Sequence, residues 1–290
     1  MKPVRVLTIA GSDSGGGAGI QADLKTITAL GGFGMSVITA LTAQNTLGVH
    51  GIHDVPTEFV EAQFDAVAGD IGIDAAKTGM LASSDVIRTV AGRIRRYRIE
   101  KLVVDPVMVA KGGARLIREE AKKTLIAELI PLAFVLTPNI PEAEVLAGIP
   151  IKAIGDMKEA ARIIHRMGAR HVVVKGGHLS GDAVDLLYDG CEFREFASPR
   201  IATEDTHGTG CTYSAAIATA LAFGKDVGAA VAQAKRYITE AVRYAWRLGS
   251  GHGPTNQLAP LFAGGDDATA WPDWVEIGRP GEGSWRISRR

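Results

Sequence analysis

The chain has 290 residues, long for a small domain but within reach of one α/β unit with a large core. Hydrophobic residues make up 46% and charged residues 22%, which excludes the disordered class. Lys plus Arg and Asp plus Glu balance at 32 each, so there is no basic field to hold a nucleic acid backbone.

The apolar run in MKPVRVLTIAGSD is too short and too polar at its flanks for a signal peptide and reads as a first strand, Val4 to Ala10. Gly11 to Gly19 follows as a glycine-rich loop. It lacks the Lys and Ser/Thr that end a Walker loop, and its glycines miss the dinucleotide spacing, so by itself it is either a ligand-facing loop or plain turn chemistry. A helix from about Ile20 carries Leu24, Ile27 and Leu30 on one face, and a short strand follows at Ala75 to Thr78. Val86, Ile87, Val90, Ile94 and Tyr97 mark a second helix, and the cations Arg93, Arg95, Arg96 and Arg98 at its end read as a solvated face that suits the helix dipole. Strands are expected at Leu102 to Val104, Phe134 to Leu136 and Val172 to Val174, with a helix over Ala160, Ile163, Ile164 and Met167 before the last. Cys191 falls in a turn. TYSAAIATALAF, after Cys211, reads as a buried helix, and an amphipathic helix then runs to near Gly249. Gly and Pro break all periodicity in residues 263–290, a tail separate from the domain of residues 1–262. Three of the four tryptophans, Trp271, Trp274 and Trp285, argue that this tail docks on a surface. Apolar strands alternating with helices give an α/β fold of three layers, αβα, with a mostly parallel central sheet.

Two cysteines, Cys191 and Cys211, cannot staple a chain of this size, which points to a reducing compartment. No apolar run approaches the ~18 residues of a membrane span, so a soluble cytoplasmic protein is expected.

In such a sheet ligands bind beyond the carboxyl ends of the strands. Three strands deliver polar groups there: Asp105 after the first, Thr137, Pro138 and Asn139 after the second, and Lys175, Gly176 and Gly177 after the third. Thr206 to Thr212, THGTGCT, opens the buried helix. Its glycines let backbone N–H groups approach an anion where the helix dipole favours one, although the segment alone reads equally well as an ordinary glycine-rich helix start. Cys211 sits at that start, so its pKa is expected to be depressed and its thiolate able to act as a base. His207 is near Cys211 in sequence only, and no His and Asp partners at a recognisable spacing support a cysteine hydrolase.

These residues, with the stretches AGSDSGGGAGIQADLKT, SVITALTAQNT, KTGML, DPVM, TPNIPEAE, VKGGH, DTHGTGCT and GHGPTN, resemble the hydroxymethylpyrimidine/phosphomethylpyrimidine kinase branch of the ribokinase superfamily. The resemblance runs from residue 4 to about 262 and implies a ribokinase-like fold, ATP as co-substrate, Mg²⁺, a small-molecule pyrimidine substrate and a homodimer. It implies that Asp23 and Gln44 hydrogen-bond an aminopyrimidine in a pocket shaped by Gly11, Met80 and Val107. It implies that Asp105, Asn139 and Glu142 organise Mg²⁺ and the phosphates, with Asp105 and Glu142 acting directly or through water. Lys175 resembles the phosphate-contacting lysine, and Gly208, Thr209, Gly210 and Cys211 the anion hole and base. Without the resemblance, Met80 and Val107 read as core, Glu142 as a helix-start acid and Lys175 as a solvated loop cation. Most sugar kinases of the superfamily carry Asp where this chain has Cys211. The cysteine favours the pyrimidine branch and leaves pyridoxal or pyridoxine kinase as the alternative. A pyrimidine or nucleotide sensor without turnover is a further reading, opposed by the intact lysine, acid and glycine-rich segments. His178 and Asn256 lie in matching stretches without a derived role.

Overall fold

A computed structural model describes residues 3–108, 119–177 and 181–259; the tail at 263–290 and His178 lie outside them. In chain order the elements are β1 (Arg5–Asp13), α1 (Gly19–Ala29), β2 (Phe33–Asn45), β3 (Gly48–Asp54), α2 (Thr57–Asp70), β4 (Ala75–Thr78), α3 (Ser84–Arg96) and β5 (Leu102–Val104). Then come α4 (Glu119–Thr124), β6 (Val135–Leu136), α5 (Ile140–Ala147), α6 (Ile154–His165), β7 (Val172–Val174), β8 (Ala183–Tyr188), β9 (Phe193–Ser198), α7 (Thr209–Ala222) and α8 (Val227–Arg243).

The strands form one sheet in the order β3-β2-β1-β4-β5-β6-β7-β8-β9. Pairing is parallel from β2 through β7 and antiparallel at β2/β3, β7/β8 and β8/β9. Successive side chains of a strand point to opposite faces, and the apolar runs feed two cores for that reason. Leu7, Ile9, Leu102, Val104, Val172 and Val174 join α2, α3, α5 and α6 on one face. Val6, Val103, Val135 and Val173 meet α1, α7 and α8 on the other. The three-layer αβα expectation holds.

The differences are local. The strands expected from continuous apolar runs all form, and β2, β3, β8 and β9 join them. β2 was not legible because FGMSVITALTAQN mixes polar and apolar residues, and β3 and β9 lie at the edges, mostly exposed. α8 ends at Arg243, not near Gly249, because Tyr244 leaves the helical conformation. Arg93 is not simply solvated: its guanidinium reaches Glu61 at 2.5 Å and Asp65 at 3.5 Å across to α2. Among the described residues no helix is long and apolar enough to cross a membrane.

Leu7 is fully buried between β2 and β4, whereas Leu47 in the β2/β3 turn is 64% exposed. Leu7→Ala is expected to cost about 3 kcal/mol and Leu47→Ala less than about 0.5 kcal/mol, read from the midpoints of urea unfolding curves.

Candidate active site

The parallel strands end along one edge of the sheet, and the loops that follow them surround a cleft of ≈ 920 Å³. Gly11, Gln44, Met80, Val107, Asp105, Asn139, Glu142, Lys175, Gly208, Thr209, Gly210 and Cys211 all line it. Of the expected site residues only Asp23 does not.

Asp23, on α1, is wholly buried. Lys77 Nζ lies 3.0 and 2.9 Å from its two carboxylate oxygens, and the Thr8 hydroxyl donates to it at 2.6 Å. In this structure it is the counter-charge of a buried lysine and, unlike the other expected site residues, does not line the cleft. Burial opposes charge on Lys77, but Asp23 outweighs it and holds the ammonium above its ordinary value.

A second pair faces the cleft. Lys175, following β7, donates to Asp105 at 2.8 Å, and Thr137 donates to the same carboxylate oxygen at 3.2 Å. Burial disfavours the Lys175 charge, but Asp105 and then Glu142 more than offset it and keep the ammonium charged. Asn139 and Glu142 form the capping box of α5: the Asn139 side chain accepts from the Glu142 N–H and the Glu142 side chain from the Asn139 N–H, both at 2.9 Å. The helix-start role of Glu142 is therefore real, and it does not exclude a second one, since the residue also faces the cleft. Burial raises the Glu142 carboxyl from its ordinary 4.5 to about 7, with Lys175 pulling it down and Asp105 pushing it up.

α7 starts in the cleft. Gly208 has φ +82°, and a Cβ there would lie 1.8 Å from the Gly17 carbonyl oxygen, so two glycine-rich loops meet backbone to backbone. The Thr209 N–H is engaged by Thr206 O at 3.3 Å, which removes it from the expected anion hole. Gly210 and Cys211 remain in the first turn, where amides have no acceptor within the helix. Cys211 lines the cleft and receives the Gly19 N–H on its sulfur, yet its pKa is not depressed. Burial pushes the thiol up to about 11; Lys77 opposes this, and Asp23 and Asp105 add to it. The helix dipole is outweighed by desolvation and two nearby carboxylates.

Sequence reasoning missed two features. Asp13, at the end of β1, accepts N–H groups from Gly15, Gly17 and Ala18 at 2.8, 3.1 and 2.8 Å and meets His207 Nε2 at 2.8 Å. Burial raises its carboxyl, but His207 and these amides prevail and hold it below the usual range. A polar residue in each glycine-rich segment was the available signal. The other feature is the far arm of the cleft, lined by Lys235, Ile238, Thr239 and Val242 of α8 with Ser198, the last residue of β9, and Pro199 to Ile201 after it. An ordinary amphipathic pattern on α8 carries no sign of it.

Because the folded Glu142 carboxyl holds its proton more tightly than an unfolded one, its contribution favours the fold below about pH 4.5 and is lost as pH rises through about 7. Glu142→Gln is expected to raise Tm by about 2–4 °C at pH 8 and to leave it unchanged at pH 4.5, in thermal melts of the two proteins.

Residues 13–256 match the family described as phosphomethylpyrimidine kinase. The thiamine biosynthesis bifunctional protein ThiED of Geobacter sulfurreducens is 60% identical over 254 residues, 87% of this chain and 52% of that protein, so the chain spans about half the length of that relative. The hydroxymethylpyrimidine/phosphomethylpyrimidine kinase of Bacillus subtilis is 52% identical over 261 residues, covering 89% of this chain and 96% of the relative. Among solved structures, an ADP complex of Bacillus subtilis pyridoxal kinase superposes with a TM-score of 0.85 at 42% identity, covering 90% of this chain and 99% of that one.

Proposed function

The chain belongs to the phosphomethylpyrimidine kinase family, and from that premise we infer that it phosphorylates the two substrates its relatives are named for. It moves the γ-phosphoryl group of ATP to the hydroxymethyl oxygen of 4-amino-5-hydroxymethyl-2-methylpyrimidine and, in a second turnover, to the monophosphate, giving the pyrophosphate used in thiamine biosynthesis. The observation that carries this reading is the convergence of Lys175, Asp105, Glu142 and the start of α7 on one cleft. Pyridoxal is the competing acceptor, favoured by the superposition on pyridoxal kinase; the higher identity to the pyrimidine kinase, 52% against 42%, places it second.

Phosphoryl transfer asks a protein mainly to position groups and stabilise charge. In this reading the amides of Gly210 and Cys211, at the positive end of α7, face the transferring group, and the Lys175 ammonium follows its charge. Gln44, Met80, Val107 and Gly11 hold the ring. Asp105 and Glu142 are the carboxylates that would hold Mg²⁺ beside Asn139. Among the described residues no cluster of three or more His, Cys, Asp or Glu is present, and Asp105 already accepts from Lys175, so this donor set suits an ion that keeps several waters. Bound there, Mg²⁺ supplies charge neutralisation on the phosphates.

As the new P–O bond forms and the bond to the ADP oxygen breaks, the hydroxymethyl oxygen gives up a proton, and Cys211 is the group proposed to take it. It must be a thiolate to do so. With its thiol near 11, only about one part in ten thousand is competent at pH 7. The wild-type kcat/KM is therefore expected to climb with pH beyond 9. Cys211→Ala should lower kcat about 10²-fold, flatten that climb and leave the pyrimidine KM within about threefold, in steady-state assays of hydroxymethylpyrimidine, its monophosphate and pyridoxal side by side. Unchanged turnover removes Cys211 as the base, and preference for pyridoxal overturns the choice of substrate.

We place the enzyme in the cytoplasm as a homodimer. Leu47 in the β2/β3 turn and Ile52 on the edge strand β3, 64% and 44% exposed, support an interface at that edge. Equilibrium sedimentation is expected to give a dimer that Ile52→Lys converts to monomer.

A further inference from the structure

Gln44 and His207 share the ring end of the cleft with Asp13 and Thr42, and the protons among them can be counted. Gln44 Nε2 sits 3.4 Å from His207 Nε2, and Gln44 Oε1 sits 3.2 Å from Thr42 Oγ1. Neither contact survives the count. His207 Nε2 lies 2.8 Å from a carboxylate oxygen of Asp13, which accepts only, so Nε2 must carry the proton. A Gln44 N–H then faces an N–H. Thr42 has a single hydroxyl proton, already given to Ser12 O at 2.9 Å, so Gln44 Oε1 faces a lone pair.

Turning the terminal amide of Gln44 by half a turn resolves both conflicts without changing its shape. Its oxygen then accepts the His207 Nε2–H, shared with Asp13, and its nitrogen donates to Thr42 Oγ1. One N–H then remains for the cleft, and the amide oxygen is turned toward His207.

We propose that His207, clamped by Asp13, is a specificity-determining positioning residue that turns the Gln44 amide so that it offers the substrate ring a donor. The group this donor selects is an acceptor, a ring nitrogen. This deepens the reading of Gln44 as a pyrimidine contact and rests on it. It also gives the clasp between the two glycine-rich loops a role in recognition: the histidine that joins them fixes the polarity of the pocket.

The test measures kcat and KM for hydroxymethylpyrimidine and for two analogues, each with one ring nitrogen replaced by C–H. His207→Leu is expected to raise the KM of the parent about tenfold with kcat changed less than threefold, and to shrink its preference over one analogue by a similar factor. His207→Gln, which restores an N–H at similar reach, should recover both. Thr42→Val removes the other clamp of the same amide and should move the same ratio, which keeps the test decisive if the leucine variant does not fold. An equal rise in KM for the parent and both analogues, or no recovery with glutamine, overturns the proposal. Gln44→Ala separates the two layers. An unchanged pyrimidine KM there removes Gln44 from the ring altogether, whereas a raised KM beside normal selectivity in His207→Leu and Thr42→Val overturns the role of His207 alone.

Discussion

One buried carboxylate ties two distant segments of the chain together. Asp13 accepts three loop amides and the imidazole of His207, 194 residues away, and around that anion two glycine-rich loops close until Gly17 and Gly208 touch through their backbones. The start of α7 is placed by this contact, and with it the amides of Gly210 and Cys211. The carboxyl is held below its ordinary range, so the clasp stabilises the fold at neutral pH and yields its contribution only as acid protonates it. Gly17 and Gly208 are required on steric grounds: a Cβ on the first would lie 2.4 Å from the His207 ring, and one on the second would strike the Gly17 carbonyl.

Two lysine and aspartate pairs sit at different depths and do different things. Lys77 and Asp23 have no exposed side-chain surface, and their bond is a structural charge pair under Cys211. Such a pair returns little net stability, but removing one member strands the other. Lys175 and Asp105 meet at the cleft wall, where the ammonium keeps some exposure and can turn toward an incoming anion. Burial shapes three titrations here in the same way, as desolvation pushes Glu142 and Cys211 up and opposes the charge on Lys175. The cleft is thus poised to receive negative charge, with its own carboxylate and thiol inclined to stay neutral until ligands arrive.

How much of this was legible depended on range. Apolar runs such as Val172–Val174 announce strands buried on both faces, and the polar residues after them announce the ligand edge, because both signals are local. The resemblance supplied Gln44, Lys175 and Cys211, and each lines the cleft. Asp23 shows the limit. Its position in a matching motif suggested a ligand contact, but the depth of α1 against Lys77 and Thr8 is set by packing that no motif records. The pKa of Cys211 failed as an expectation for a related reason: the helix start is visible in the sequence, whereas the nearby carboxylates come from α1 and from the loop after β5.

The sequence by itself determined the α/β class, the parallel core strands and the set of polar groups at their ends, since alternation, apolar runs and glycine-rich loops act over a few residues. Only the tertiary structure decided which of those groups are free to meet a ligand. The meeting of Asp13 with His207, the burial of Asp23 and the orientation of the Gln44 amide each follow from contacts between segments far apart in the chain. There, hydrogen-bond satisfaction and desolvation are settled by which elements pack together.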